Sequence, residues 1–220
     1  MRKFFTDRTP PDRDQLARIY DVHAPTWLAR EGRAETKLTS ERWRNDLVAE
    51  LRGDVLEIGV AAGDNLIRLP DYGHTVTSFT GIDVSPGMIQ QAKQASRGLS
   101  IPVSLHVADA EDLGIFPEAT FDTVTASLVF CTIPDVPQAL TEIARVLKPD
   151  GRLVVIEHVL SPNRMIGAIQ KLVAPIQIRQ MGCHLDRTTV ETLAECGYRI
   201  ERQRQRLFGI MRFVVARPPL

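Results

Sequence analysis

The chain has 220 residues, 44% of them hydrophobic, enough to bury a full core, and no linker-like stretch divides it, so one domain is expected. Lys plus Arg and Asp plus Glu both total 27, giving a formal net charge of +0 and no broad basic field for a nucleic-acid partner. No apolar run has signal-peptide or bilayer length, and Cys131, Cys183 and Cys196 lack Cys-x-x-Cys spacing, so a cytoplasmic protein without a metal site is the expectation.

In chain order, Leu16, Ile19 and Tyr20 recur at helical spacing from Asp12 to about His23, with Asp12 and Gln15 as an N-terminal capping pair. A second helix runs over Ser40–Leu51, with Trp43, Leu47 and Leu51 on one face. It leads into a first strand near Asp54–Ile58 and the small-residue loop Gly59-Val60-Ala61-Ala62-Gly63. Asp64–Leu69 reads as a helix stopped by Pro70, and Thr75–Ile82 as a second strand. Ser85-Pro86 opens the next helix, Ser85 as cap and Pro86 at a position with no N–H to satisfy; Met88, Ile89, Ala92 and Ala95 form its apolar stripe.

Val103–Val107 alternates as a third strand, and Phe121–Phe130 is a longer fourth. Val136, Leu140, Ile143 and Leu147 mark a helix closed by Lys148-Pro149-Asp150-Gly151, and Arg152–Val159 follows as strand five. Thr188 and Glu191 read as a capping box for a last helix ending at Gly197, before a hairpin of Tyr198–Arg206 and Gly209–Ala216. Alternating strands and helices require crossovers, hence an α/β fold: a Rossmann-like, mostly parallel sheet of seven strands, with helices on both faces and an antiparallel C-terminal hairpin. Within one domain over 1–220, the expected parts are N-terminal helices over the active site (1–52), a cofactor-binding core (53–159), an apolar insertion or lid (160–185) and the last helix with the hairpin (186–220).

A strand, a tight loop with Gly59 and Gly63, and an acid, Asp83, at the end of the second strand fit an adenosine-containing ligand. The glycines admit the ligand to the backbone, a following helix N-terminus offers N–H groups, and the acid accepts ribose hydroxyls. Four blocks then resemble the class I S-adenosylmethionine-dependent methyltransferases: Val55–Gly63, Gly81–Met88, Ala108-Asp109-Ala110-Glu111, and Phe121-Asp122 through Arg145-Val146-Leu147-Lys148-Pro149-Asp150-Gly151. The resemblance implies S-adenosylmethionine as cofactor, held by Glu57, Gly59, Ala61, Gly63, Asp83, Val84, Met88, Asp109, Ala110 and Leu128. Ala61 departs from the more usual glycine.

Finer segments resemble ubiquinone/menaquinone C-methyltransferases, phosphatidylethanolamine N-methyltransferases and methyltransferase-like thiol S-methyltransferases: Ile19-Tyr20-Asp21, Phe130–Asp135, Glu157-His158-Val159 and Gly182–Arg187. The acceptor implied is a small or lipid-like molecule, methylated at N, O, S or activated C. Orientation alone supplies much of such a transfer, and the candidates for an assisting base are His158, His184, and Tyr20 or His23. Peripheral membrane contact is expected through residues 160–185, where apolar residues alternate with Arg164, Lys171 and Arg179, in a monomer or homodimer. Two alternatives stay open at this point: a nicotinamide-dependent oxidoreductase on the same type of core, and a non-catalytic S-adenosylmethionine-binding protein.

Overall fold

The computed structural model describes residues 9–28 and 42–219. In chain order it contains α1 (Arg13–His23) with a following 3-10 turn (Ala24–Thr26), α2 (Arg42–Glu50), β1 (Gly53–Ile58), a 3-10 turn (Leu66–Arg68), α3 (Leu69–Tyr72) and β2 (Val76–Asp83). Next come α4 (Pro86–Ala95), β3 (Val103–Val107), β4 (Phe121–Ser127), α5 (Val136–Val146) and β5 (Leu147–His158). The chain closes with α6 (Arg164–Met181), α7 (Thr189–Glu195), β6 (Arg199–Arg206) and β7 (Met211–Arg217). The sheet runs β3-β2-β1-β4-β5-β7-β6, parallel from β3 through β5, with β7 antiparallel to both β5 and β6. The strand order reverses between β1 and β4, and at such a switch point a crevice opens above the carboxyl ends of the strands.

The period of two along each strand divides the core between the faces of the sheet. Leu56, Ile58, Val124, Ala126, Leu153 and Val155 point to one side and meet Leu140 and Ile143 of α5. Val55, Phe79, Val154, Ile156, Phe213 and Val215 point to the other and meet Trp43, Leu47, Val48, Ile89 and Ala92. The exposed edge β6 is rich in arginine, which discourages edge-to-edge pairing with another chain. Arg204 also lies over the Phe213 ring at 4.2 Å and pairs with Asp46 at 2.7 Å, tying α2 to the hairpin.

Several local signals act as expected. Asp12 and Gln15 form a reciprocal capping box, and Ser85 Oγ accepts a hydrogen bond from Met88 N at 3.0 Å. Others do not. No full helix follows the small-residue loop: turns lead to the 3-10 turn and the four-residue α3, and Pro70 sits in the first turn of α3 instead of ending a helix. The helix N-terminus expected to serve the ligand is therefore missing. Strand four ends at Ser127, because Leu128 takes a φ of 58° that no strand tolerates, and Lys148–Gly151 already belongs to β5. Thr188 caps α7 without a side-chain hydrogen bond, so the Thr188/Glu191 box does not form. The expected beginning of the second helix, before Arg42, lies outside the described residues.

Ala61 has a φ of 48°, in the left-handed region, while its N–H donates to Asp83 Oδ2 at 3.0 Å. Left-handed backbone costs a residue with a Cβ about 1–2 kcal/mol, partly offset by the lower chain entropy of alanine when unfolded. Ala61→Gly is thus expected to stabilise the protein by about 0.5–1 kcal/mol, read as a higher urea midpoint at unchanged slope.

Candidate active site

A cavity of about 550 Å³ opens over the carboxyl ends of β1, β2, β4 and β5. Of the residues named from sequence, Tyr20, Glu57, Gly59, Ala61, Asp83, Val84, Asp109, Ala110, Leu128 and His158 line it. His23, Gly63, Met88 and His184 do not. A Cβ on Gly63 would stand 2.9 Å from Ala95 Cβ, so that glycine serves close packing against α4. Met88 is fully buried with Ala24 and Ala62 beneath the loop. His184 contributes its backbone N–H, donated to the Cys131 carbonyl at 2.9 Å.

The half of the cavity over β1 and β2 is built on carboxylates. Glu57 Oε1 accepts from Asn65 Nδ2 at 2.5 Å, and Asn65 also donates to Ser127 Oγ at 3.1 Å. Glu57 Oε2 is buried with no hydrogen-bond partner among the described residues, an acceptor left over inside the cavity wall. Asp83 takes Ala61 N on Oδ2 at 3.0 Å and Ser85 N on Oδ1 at 2.9 Å, so it shapes the loop and opens the cap of α4 at once. Asp109 Oδ1 accepts from Glu111 N at 3.0 Å, and Arg13 of α1 approaches its Oδ2 at 3.8 Å. A ligand with an ammonium group and a hydroxylated ring would satisfy these acceptors, so the residues present fit the expected cofactor.

Burial raises Glu57 to about 8, against the nearby Arg44 and the bond from Asn65; burial also raises Asp83 to about 6, against its backbone bonds and helped by the charge of Asp21. Between the ordinary carboxylate range and these values the fold holds protons that the unfolded chain has released, so their contribution to stability falls as pH rises through that window. In the ligand-free protein this fall is expected from about pH 5 to about pH 8, and to be smaller in Glu57→Gln, measured as melting temperature against pH. A cationic ligand reverses the sign, since it favours the ionised carboxylates.

The half over β4 and β5 is softer and less polar. Beyond Leu128 the chain turns sharply, and the buried Glu157 holds that turn by accepting Val129 N at 2.6 Å and Phe130 N at 2.7 Å on the same oxygen, Oε1. Arg187 Nη1 donates to the Phe130 carbonyl at 2.6 Å. His158 Nε2 lies 3.1 Å from Cys183 Sγ, and Cys131 is adjacent. A hydrogen bond from Cys131, with support from His158 and the charge of Arg187, holds the Cys183 thiol well below its ordinary value; the same pairing with Cys183, together with burial, pushes Cys131 up. Burial pulls His158 down, but its bond to Cys183 and the thiolate charge outweigh this and raise it. Cysteine spacing gave no sign of this group; only the fold joins residues 131, 158 and 183.

Helix α1 roofs the cavity. Asp21 Oδ1 accepts from Ser85 Oγ at 2.5 Å and Gly87 N at 2.8 Å, and Trp27 Nε1 donates to Asp64 Oδ2 at 3.0 Å. Tyr20 donates its hydroxyl to the Met181 carbonyl at 3.2 Å, joining α1 to the end of α6; burial raises its pKa far above the ordinary phenol range. That geometry gives Tyr20 a positioning contact. Sequence reasoning did not single out Trp27, Asp64, Asn65 or the holding role of Glu157; partners so distant in the chain leave no local pattern.

Residues 56–155 match the family model described as a methyltransferase domain. The chain is 32% identical over 167 residues to a phosphatidylethanolamine N-methyltransferase of Cereibacter sphaeroides, covering 73% of this chain and 79% of that one. It is 30% identical over 134 residues to the ubiquinone/menaquinone biosynthesis C-methyltransferase UbiE of Geobacter sulfurreducens, covering 58% of this chain but only 52% of that relative. Among solved structures, the [4+2]-cyclase SpnF superposes with a TM-score of 0.77 at 21% identity, over 96% of this chain and 98% of that one, a likeness of fold. With sequence matches to methyltransferases that extend beyond the core, the nicotinamide alternative falls away, and the chain belongs to the S-adenosylmethionine-dependent methyltransferases.

Proposed function

We propose that this methyltransferase acts on a hydrophobic small-molecule or lipid-like acceptor that enters beside α6. The observation that carries this reading is the character of α6. Its C-terminal part contributes Gln177 and Met181 to the cavity, while Met165, Ile169 and Leu172 stand 74%, 57% and 68% exposed nearer its start. These three lie at i, i+4 and i+7 on one face, the spacing of an apolar stripe that seeks a partner or a lipid surface. The turn before β7 adds Phe208, also well exposed, and Gly209 packs against Pro162 just ahead of α6. Among the described residues no helix is long and apolar enough to cross a membrane, so contact at a surface is the form this proposal takes. The names of the two sequence relatives, a lipid N-methyltransferase and a quinone C-methyltransferase, support an acceptor of this class.

When bound, S-adenosylmethionine supplies a methyl group made electrophilic by its sulfonium. The chain's own residues do the rest. Glu57 and Asp83 hold the donor by its ammonium and ribose hydroxyls, Leu128 and Val129 form the wall between donor and acceptor halves, and Tyr20 and Trp27 close the roof against water. Alignment of this kind is worth about 7–11 kcal/mol of a barrier in favourable cases. The test is a screen of amines, phenols, thiols and phospholipids with labelled S-adenosylmethionine, followed by product masses. Transfer to hydrophobic acceptors, increased by lipid vesicles and reduced in Ile169→Glu/Leu172→Glu, is the expected result; turnover confined to small polar acceptors and indifferent to both changes would overturn the reading.

A further inference from the structure

Cys131 lies in the turn after β4, His158 ends β5, and Cys183 follows α6 by two residues, yet their ligand atoms all lie within 4.8 Å of one another. Both cysteines are unbridged, and all three residues line the cavity. Two thiolates and an imidazole form a borderline-soft donor set of the kind that suits zinc; in a tetrahedral site, with bonds of about 2.0–2.3 Å, such atoms stand about 3.5–3.8 Å apart. The cluster is near that spacing, with His158 Nε2 3.1 Å from Cys183 Sγ and no two of the ligand atoms more than 4.8 Å apart.

We propose that Cys131, His158 and Cys183 bind a zinc ion whose fourth position opens into the cavity, where water or a heteroatom of the acceptor completes the shell. The scaffold for this site is in place without an ion. Gly182, with a φ of 69°, turns the chain out of α6 toward Cys183, and no side chain would fit there, since a Cβ would fall 2.3 Å from Leu16 Cδ2. His184 N holds the Cys131 carbonyl at 2.9 Å, and Arg187 Nη1 holds that of Phe130 at 2.6 Å, fixing the segment after α6 to the turn after β4. Zn²⁺ with two thiolates and a neutral imidazole is uncharged overall, which suits a largely buried pocket. Three protein ligands with one open vertex is the arrangement of zinc sites that do chemistry rather than only hold a fold. An acceptor O–H or S–H that reached the vertex would lose its proton to water more readily, its anion being stabilised by the ion. The site's use rests on the acceptor reading above; binding of the ion does not.

The experiment titrates reduced, chelator-treated full-length protein with Zn²⁺. One equivalent is expected to bind, with the affinity falling about a hundredfold or more in Cys131→Ser and in Cys183→Ser but not in Cys196→Ser. Retained S-adenosylhomocysteine binding in the serine variants shows that they are folded. Co²⁺ in place of zinc is expected to give thiolate-to-metal charge-transfer absorption and tetrahedral d–d bands, which added imidazole shifts by entering the open position. Absence of stoichiometric uptake, or uptake that survives the double variant Cys131→Ser/Cys183→Ser, overturns the site. A cobalt spectrum indifferent to imidazole overturns the open vertex. An acceptor screen without any transfer leaves the zinc titration unaffected, so the two readings fail separately.

Discussion

Asp83→Ala is expected to weaken S-adenosylmethionine binding by about ten- to a hundredfold. A carboxylate receiving ribose hydroxyls makes charge-assisted bonds worth about 1.5–3 kcal/mol each, and about 1.4 kcal/mol is a factor of ten in affinity. The same side chain accepts Ala61 N and Ser85 N, so part of the loss comes through the shape of the loop. Asp83→Asn, which keeps one carbonyl oxygen in place, is expected to lose less. Gly59→Val acts on the neighbouring wall by a different route. Gly59 has a φ of 64°, and a Cβ there would stand 2.5 Å from Val129 Cγ2, so the variant carries backbone strain and displaces the turn after β4 that lines the cavity. Calorimetric titration checks both, and unchanged affinity in the two variants would sink the placement of the cofactor.

The second large effect concerns Glu157, which never appeared as a site candidate in its own right. Glu157→Ala is expected to cost about 2–4 kcal/mol of stability, because a part-buried amide, Val129 N, and a buried one, Phe130 N, lose their acceptor together. Glu157→Gln should lose less. Both amides are taken by Oε1, which the glutamine oxygen replaces, and the Oε2 that becomes NH2 has no partner among the described residues. Urea denaturation of the two variants separates the cases; equal losses would mean that the charge, and not the acceptor oxygen, holds the turn.

Much of the fold is legible in sequence because its signals are local. The alternation of apolar residues in Val103–Val107, the Ser85-Pro86 start of α4 and the Asp12/Gln15 box each depend on neighbours a few residues apart, and each has its counterpart in the structure. The failures are also local, and they have a common cause. Thr188/Glu191 has the composition of a capping box without its bonds, and Asp64–Leu69 has helical spacing but divides into short turns, since packing overrides weak preferences over so few residues. For the cavity, Asp83 and His158 could be named from their places at strand ends, and Glu57 through the family resemblance. Met88 and Gly63 could not be told apart from lining residues, because burial under the loop and exposure to the cavity differ only in which way the backbone turns.

By itself the sequence determined the order of strands and helices along the chain, and it named most of the residues that line the half of the cavity over β1 and β2. Those features are carried by periodicity, by caps, and by motifs whose residues are close in the chain. Only the tertiary structure decided the other half. It set Tyr20 against Met181, gave Glu157 its two amides, and drew Cys131, His158 and Cys183 together from three segments. Contacts between distant segments depend on how finished elements pack against each other, and no spacing along the chain encodes them.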